Sequence, residues 1–386
     1  MRIAIDLRCL ADGRRTGVEE YATGLLRALF EEDKENEFIL FYNAWNGELP
    51  EDFAWMQSYP NVSVKRFRIP NKLLNGLLWY MRWPKLDVLC GGADIFFMPN
   101  LNFVAVSDEA KLVVVAHDLS FEAYPETFSV KRRIWHLLVN FRGLCQRAAL
   151  LIAVSHSTKQ DIMSYYHVPE QKIVVIQSGL VKEFARIGRN DPELLRVKEK
   201  YHLPYRYILF LGTFEPRKNI RAIVQAYEAY RQSMAEKECM PLLLAGSPGW
   251  KSEEIFREIE ASPFRPDIRS LGFIADEDKH ALYNLATLFV YPSFYEGFGF
   301  PPLEAMACGV PTIVSRNSSF PEIVGDAAIM VDPYQPDELY RAMSAILSDH
   351  SFAERLSRAG EHQAKKYTWE RTARELSKMF QFVAGK

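Results

Sequence analysis

Short apolar runs recur along this chain, each parted from the next by a longer amphipathic stretch, and that rhythm restricts the fold more than any other feature. In the first half the runs fall at residues 3–7, 38–42, 62–67, 95–98, 112–116, 151–154 and 173–176. In the second they return at 207–212, 242–245, 268–271, 288–291, 312–315 and 329–331. Each is too short for a stable helix, and most are apolar or nearly so, the pattern of a strand buried on both faces; 62–67 and 268–271 carry basic residues as well. The stretches between carry helical patterning, as at 18–30, 72–88, 130–149 and 157–166, then 219–234, 276–286 and 337–348. Strands alternating with helices give parallel sheets covered on both sides. The rhythm lapses over the charged residues 181–205, which places a domain junction at 190/191. The expectation is an α/β chain of two Rossmann-like domains, 1–190 and 191–368, neither with a GxGxxG, and 386 residues suit two domains of that size. Ligands of such sheets sit beyond the carboxyl ends of the strands, so the residues that follow each strand are the functional candidates.

The densest signal of this kind is Tyr291-Pro-Ser-Phe-Tyr-Glu-Gly-Phe-Gly-Phe-Pro-Pro-Leu-Glu-Ala-Met-Ala-Cys-Gly-Val-Pro311. Gly297 and Gly299 open a loop with little side-chain bulk, so backbone N–H groups can approach an anion closely. Pro301 and Pro302 suit the first turn of a helix and Gly309 its C-terminal stop. The N-terminus of that helix then points at whatever the loop holds. Glu304 falls about one turn into the helix, too deep to be a simple cap. Beside phosphate it would repel, so its natural partner is a neutral hydroxyl pair such as that of a ribose. Glu296 precedes the glycines and faces the reacting end of a ligand. The alternative is two solvated glutamates, one favoured by the helix dipole.

Glu296-Gly-Phe-Gly-Phe-Pro-Pro-Leu-Glu304 resembles the E-x7-E motif of retaining glycosyltransferases with the GT-B fold, family 4 (group 1), and the resemblance runs over nearly the whole chain. It implies two Rossmann-like domains facing across a cleft, the first binding an acceptor and the second a nucleotide-sugar. It also implies that the last helix, 369–386, packs back on the first domain, which no pattern in the residues shows. By the same resemblance Glu304 binds the ribose hydroxyls and Glu296 lies near the transferred sugar and its diphosphate. Gly297, Phe298, Gly299 and Phe300 then offer their backbone to that diphosphate.

Gly212-Thr-Phe-Glu-Pro-Arg-Lys-Asn219 ends the first strand of the second half. Pro216 breaks the strand, Asn219 can cap the next helix, and Arg217 and Lys218 stay at the strand's carboxyl end. Positive charge at a helix start opposes the dipole, so the pair reads as a diphosphate clamp in preference to solvated cations, and it resembles the family's phosphate-binding R/K pair. Gly17, in Arg14-Arg-Thr-Gly-Val-Glu-Glu20, matches the family's N-domain glycine loop, although Thr16 stands where a first glycine is usual. His117, after the strand at 112–116, reads from its residues alone equally as a polar strand cap or as a site residue; the resemblance places it by the transferred sugar, where it can hydrogen-bond. Arg132, Arg133, Ser155 and Ser157 lie in stretches similar to the family, Ser155 as a structural residue. Glu322 reads as a helix-start carboxylate, and Asp276-Glu-Asp278 as acidic residues suited to a helix start in preference to a metal site.

These residues together imply a retaining, metal-independent hexosyltransferase with no cofactor beyond its donor. GDP-mannose is the favoured donor, because the pattern is most similar to bacterial mannosyltransferases, while users of UDP-sugars share the same motifs. The acceptor reads as a glycan or lipid-linked glycan of a surface polysaccharide. A GT-B-shaped epimerase or phosphorylase, or a silent nucleotide-sugar-binding protein, are the rival readings. A net charge of −2 argues against nucleic acid as a partner. Five widely spaced cysteines without a C-x-x-C fit a reducing cytosol. Residues 1–6 read as a strand and not as a signal segment, and no apolar run approaches ~18 residues. The expectation is therefore a cytoplasmic protein. Residues 71–85 and 131–142 mix aromatic, leucine and basic residues, as helices in a lipid interface do, although core-facing helices look the same in sequence. Nothing in the residues indicates an oligomeric state.

Overall fold

A computed structural model describes residues 1–11, 17–45, 49–188, 190–234 and 239–385. The chain forms two compact units, one of Met1–Ala123, Val130–Gly179 and Thr368–Lys386, the other of Tyr124–Ser129 and Leu180–Tyr367. The strands of the first unit are β1 (Arg2–Asp6), β2 (Glu37–Asn43), β3 (Val62–Phe67), β4 (Ile95–Met98), β5 (Lys111–Ala116), β6 (Leu150–Ala153) and β7 (Ile173–Val175). Those of the second are β8 (Ile208–Leu211), β9 (Leu242–Ala245), β10 (Ile268–Gly272), β11 (Leu288–Tyr291), β12 (Thr312–Ser315) and β13 (Ile329–Val331). Every expected strand is present. The orders are β3-β2-β1-β4-β5-β6-β7 and β10-β9-β8-β11-β12-β13, with all neighbours parallel. Each order reverses once, between β1 and β4 and between β8 and β11, which marks the crevice where ligands of such sheets bind.

β4, β6, β8, β9, β11 and β12 are buried at every residue, as their largely apolar sequences require in a sheet covered on both faces. On one face of the first sheet, Ile39, Phe96, Val114 and Leu151 pack with Leu74 and Leu78 of helix Asn71–Tyr80, Val139 of helix Val130–Val139 and Phe141 of helix Phe141–Arg147. Against Phe97 lies Phe380, edge to face at 5.3 Å, from the closing helix Trp369–Val383. That helix rests on helix Gly17–Glu32. Its entry depends on two glycines: a Cβ at Gly24 would sit 2.3 Å from the Trp369 ring, and one at Gly179 would sit 2.2 Å from the Trp369 backbone nitrogen.

Two expected helices are divided. The stretch 72–88 breaks after Tyr80, with Arg82 at φ +51 and Trp83 ahead of Pro84, and a short helix Leu86–Leu89 follows. A residue before proline is held out of the α region, so one helix cannot run through. The stretch 130–149 breaks at Asn140, φ +51, whose side chain caps the next helix by accepting the Gly143 N–H at 3.1 Å. Residues 181–205, where the rhythm lapsed, belong to the second unit and include helix Pro192–Lys200. Arg196 and Lys200 of that helix hold the buried carboxylate of Asp278 at 2.8 and 2.6 Å. Asp278 lies in the first turn of helix Asp276–Leu285.

Candidate active site

β8 and β11 are neighbours at the strand-order reversal of the second unit, and the loops after them carry most of the candidate residues. Pro216 ends the extended segment after β8 and begins a single tight turn, Pro216–Lys218. That turn aims both cations toward the loop after β11. Neither is solvated. The Lys218 ammonium lies 2.5 Å from Glu296 Oε1, donates to the Tyr291 hydroxyl at 2.7 Å, and sits over the Tyr291 ring. The Arg217 guanidinium reaches Glu296 Oε2 at 2.9 Å and Glu215 Oε1 at 2.7 Å, and donates to the Tyr295 carbonyl at 2.6 Å. Two cations and two carboxylates thus share one nearly dry network, with Lys218 only 8% exposed. Burial alone would raise the Glu296 carboxyl, but the charges of Arg217 and Lys218 outweigh it and hold the group at about 2. Asn219 does not cap the following helix. It adopts φ +55, and its amide donates instead to the Pro292 and Pro333 carbonyls at 3.1 and 2.7 Å.

The glycine-rich loop is pinned from beneath by the segment after β12. Ser319 donates to the Glu296 and Phe298 carbonyls at 2.9 and 2.8 Å, and the Glu296 N–H donates to Ser318 at 3.1 Å. Gly299 takes φ +109, and a Cβ there would stand 2.9 Å from the Phe320 ring, so both the backbone and the space require glycine. Phe298 is buried edge-on to Tyr367 at 5.7 Å, and Phe300 opens helix Phe300–Ala307, with proline in its first turn. The helix ends as expected at Gly309, φ +72: Gly309 N–H bonds the Met306 carbonyl and Val310 N–H the Ala305 carbonyl, both at 3.0 Å. Glu304 is 2% exposed, and its Oε2 accepts the Tyr283 hydroxyl at 2.7 Å. Burial, then the neighbouring Glu304 charge, raises the Tyr283 hydroxyl well above its ordinary range, so it stays protonated and donates.

In the first unit, His117 follows β5, and its Nε2–H donates to the Pro99 carbonyl, just past β4, at 2.7 Å. Its ring stands edge-on to Tyr21 at 4.7 Å. Burial lowers its pKa, so the imidazole is neutral near pH 7, with Nδ1 as the acceptor nitrogen. Gly17 is the first residue of helix Gly17–Glu32, while Thr16 lies outside the described residues. Ser155 is fully buried and caps helix His156–Tyr166 by accepting the Thr158 N–H at 3.0 Å, a structural role; Ser157 lies in that helix's first turn. Arg132 and Arg133 are exposed on helix Val130–Val139, and Glu322 lies in the first turn of helix Phe320–Val324.

Residues 192–363 match the family described as Glycosyl transferases group 1, and residues 15–183 match Glycosyltransferase Family 4. Over 270 residues the chain is 37% identical to the O-antigen chain mannosyltransferase B of Escherichia coli, covering 70% of each. The chain belongs to the group 1 glycosyltransferases. It is also 34% identical over 264 residues to the serotype-specific mannosyltransferase WbdA of Escherichia coli, covering 68% of this chain but only 32% of WbdA. A sucrose-phosphate synthase from Thermosynechococcus elongatus shares the fold over the full length of both chains, with a TM-score of 0.75 at 20% identity. The architecture is accordingly GT-B, and the enzyme is a hexosyltransferase.

In this glycosyltransferase the structure gathers Arg217, Lys218 and Glu296 into one network, with Glu304 following along the chain through Gly297–Phe300 and secured separately by Tyr283. His117 and Gly17 belong to the other unit. Residue-by-residue reading left out Glu215, Tyr283, Tyr291, Ser318 and Ser319. Glu215 stands inside the Arg-Lys segment, and Ser318 and Ser319 lie in the loop past the carboxyl end of β12, so position pointed to those three. Tyr283 gives no such signal: it is an inward tyrosine on a helix, like many core residues.

Proposed function

We propose that this glycosyltransferase moves mannose from a nucleoside diphosphate, with GDP-mannose as the favoured donor, onto a glycan or lipid-linked acceptor of a surface polysaccharide. Transfer retains the anomeric configuration and needs no divalent metal. The carrying observation is the Arg217–Lys218–Glu296 network at the β8/β11 reversal, in a chain 37% identical to an O-antigen chain mannosyltransferase. As the glycosidic C–O bond breaks, negative charge grows on the departing diphosphate. Arg217 and Lys218 offset that charge, aided by backbone N–H groups of the Gly297–Phe300 loop. Glu304 reads the ribose hydroxyls while Tyr283 keeps its other oxygen fixed. The acceptor oxygen attacks the anomeric carbon on the face the diphosphate leaves, and its proton passes to a leaving phosphate oxygen. Both oxygens of Glu296 are engaged by cations, which favours this front-face course over covalent attack by that carboxylate. A carboxyl held at about 2 cannot act as a general acid near neutrality. Neutral His117 orients a sugar hydroxyl as an acceptor at Nδ1.

The test is a panel of GDP-mannose, UDP-glucose and UDP-N-acetylglucosamine. Binding is followed by thermal shift, since a ligand of the native state raises its stability by mass action, and products by NMR of the new anomeric centre. Stabilisation by GDP-mannose and an α-linked product formed in excess EDTA are expected. Preference for a UDP-sugar, an inverted product, or activity lost to EDTA and restored by Mg²⁺ or Mn²⁺ would each overturn the corresponding part. Donor conversion without acceptor would point to an epimerase.

A further inference from the structure

We propose that the second unit carries a subsite for the acceptor glycan, an aromatic shelf of Tyr124, Phe294 and Tyr334 on which pyranose rings stack. The Phe294 ring faces both tyrosines, nearly parallel to Tyr124 at 6.3 Å and tilted by 33° against Tyr334 at 5.0 Å. The two tyrosine hydroxyls stand 3.4 Å apart. Tyr334 is 62% exposed, and Tyr124 and Phe294 are half-buried, so three joined rings meet solvent as one apolar surface with a phenolic rim. Single exposed apolar side chains are ordinary, whereas a joined patch beside a site marks a place where something binds.

The shelf is fastened by the candidate active site itself. Phe294 N–H donates to the Arg217 carbonyl at 2.9 Å, and the neighbouring Tyr295 carbonyl accepts the Arg217 guanidinium. The Pro333 carbonyl accepts the Asn219 amide at 2.7 Å, and Tyr334 N–H donates to Asp332 Oδ1 at 2.9 Å. Tyr124 comes from the segment Tyr124–Ser129, which folds with the second unit. There Trp250 donates its indole N–H to the Thr127 carbonyl, Lys251 reaches the Glu126 carbonyl at 2.5 Å, and the Phe128 ring stacks on Trp250 at 5.7 Å. Rings held in place before binding lose little freedom on binding. Charge around the shelf is absorbed locally, since Arg316 pairs with Glu338, whose carboxylate also accepts Asp332 N–H at 2.9 Å. A neutral ligand therefore suits it. One face of a pyranose carries weakly positive C–H bonds that meet the negative face of an aromatic ring, while its hydroxyls reach the phenolic oxygens. The donor's nucleobase also stacks on rings, but in the proposed reaction it lies beyond the ribose at Glu304. The shelf adjoins Arg217, where the diphosphate leaves and the acceptor enters. The proposal rests on that reading of the site, and it adds to the second unit a hold on sugars inward of the one being extended.

The test uses α-linked mannose oligosaccharides, from the monosaccharide to the tetrasaccharide, because they present the sugar that the proposed transfer adds. Binding to the full chain without donor is followed by saturation-transfer NMR, and donor KM by steady-state kinetics. In the parent, affinity is expected to rise with oligosaccharide length. Tyr334→Ala should weaken tetrasaccharide binding about tenfold, with little effect on the monosaccharide or on donor KM. Tyr334→Phe keeps the ring and should stay within about threefold of the parent. Tyr334 is exposed, so circular dichroism should not change. Equal tetrasaccharide affinity in the parent and Tyr334→Ala would overturn the proposal, as would a parent that binds no oligosaccharide. A loss confined to donor KM would overturn it too, and would make the shelf a nucleobase platform. Preference for a UDP-sugar in the donor panel would fell the donor reading alone, because the length dependence is measured without donor.

Discussion

Arg217 and Lys218 are not bare cations awaiting a diphosphate; they arrive already matched by Glu215 and Glu296. In the proposed reaction a diphosphate competes for them, and their effect should be felt most where charge is greatest, in the transition state. Arg217→Ala and Lys218→Ala are expected to lower kcat by ~10²–10³ with a smaller change in donor KM. Steady-state kinetics on variants checked for folding decides this; a change confined to KM would mean equal binding of ground and transition states. Glu296 gives a second prediction at this scale. Its folded-state pKa of about 2 lies below the ordinary 4.5, so its contribution to stability is present above pH 4.5 and is lost as pH falls toward 2. Glu296→Gln should be less stable than the parent by on the order of 3 kcal/mol near pH 7, with the gap closing as pH falls through that window. Denaturant unfolding at a series of pH values measures it; a gap independent of pH would show that charge is not what Glu296 contributes.

At the scale of elements, the site is a strand, a loop and a short helix whose ends are set by backbone chemistry. Gly299 turns the chain, the prolines start the helix, and Gly309 stops it. Within that frame Glu304 accepts the Tyr283 hydroxyl, which comes from helix Asp276–Leu285. Glu304→Ala should weaken binding of the preferred nucleoside diphosphate by about 1–3 kcal/mol. Tyr283→Phe should give a smaller loss in the same direction, because it removes only the positioning hydrogen bond. Calorimetry on folded variants is the check, and unchanged affinity in Glu304→Ala would remove that residue from the site.

For the whole molecule, the noteworthy element is the last. The helix Trp369–Val383 lies far along the chain from the sheet it joins, and completes the first unit by placing Trp369 over Gly24 and Gly179. Its Trp369 ring also meets Tyr21 edge-on at 5.6 Å, the same tyrosine that stands against His117. Trp369→Ala should destabilise the first unit by ~3–5 kcal/mol, the usual cost of removing a large buried ring. Urea unfolding would show it, and a loss below about 1 kcal/mol would mean that the helix docks without the indole.

The amino-acid sequence by itself determined the central strands, because a run buried on both faces is apolar along nearly its whole length and therefore stands out from amphipathic helices; the edge strands β3 and β10, which carry Lys65, Arg66 and Arg269, showed less clearly. It also determined the glycine and proline punctuation of the candidate site, since φ +109 at Gly299 and the helix stop at Gly309 are backbone demands that few residues meet. Resemblance to a family supplied the packing of the closing helix on the first domain, which no local pattern carries, and strengthened the roles proposed for Glu304 and Glu296. Only the tertiary structure decided who faces whom. Lys218 and Glu296 are far apart in sequence yet form a buried ion pair, because parallel strands place the ends of β8 and β11 side by side. Asn219 has the chemistry of a helix cap but spends its amide on Pro292 and Pro333, carbonyls brought to it from the loops after other strands. The outward aromatics of Asn71–Tyr80 were likewise undecided in sequence, because a core face and a membrane face ask for the same residues; the sheet buried Leu74 and Leu78 and left Trp79 and Tyr80 outside. Local propensity is written residue by residue, whereas pairing and exposure depend on which surfaces the folded chain brings together.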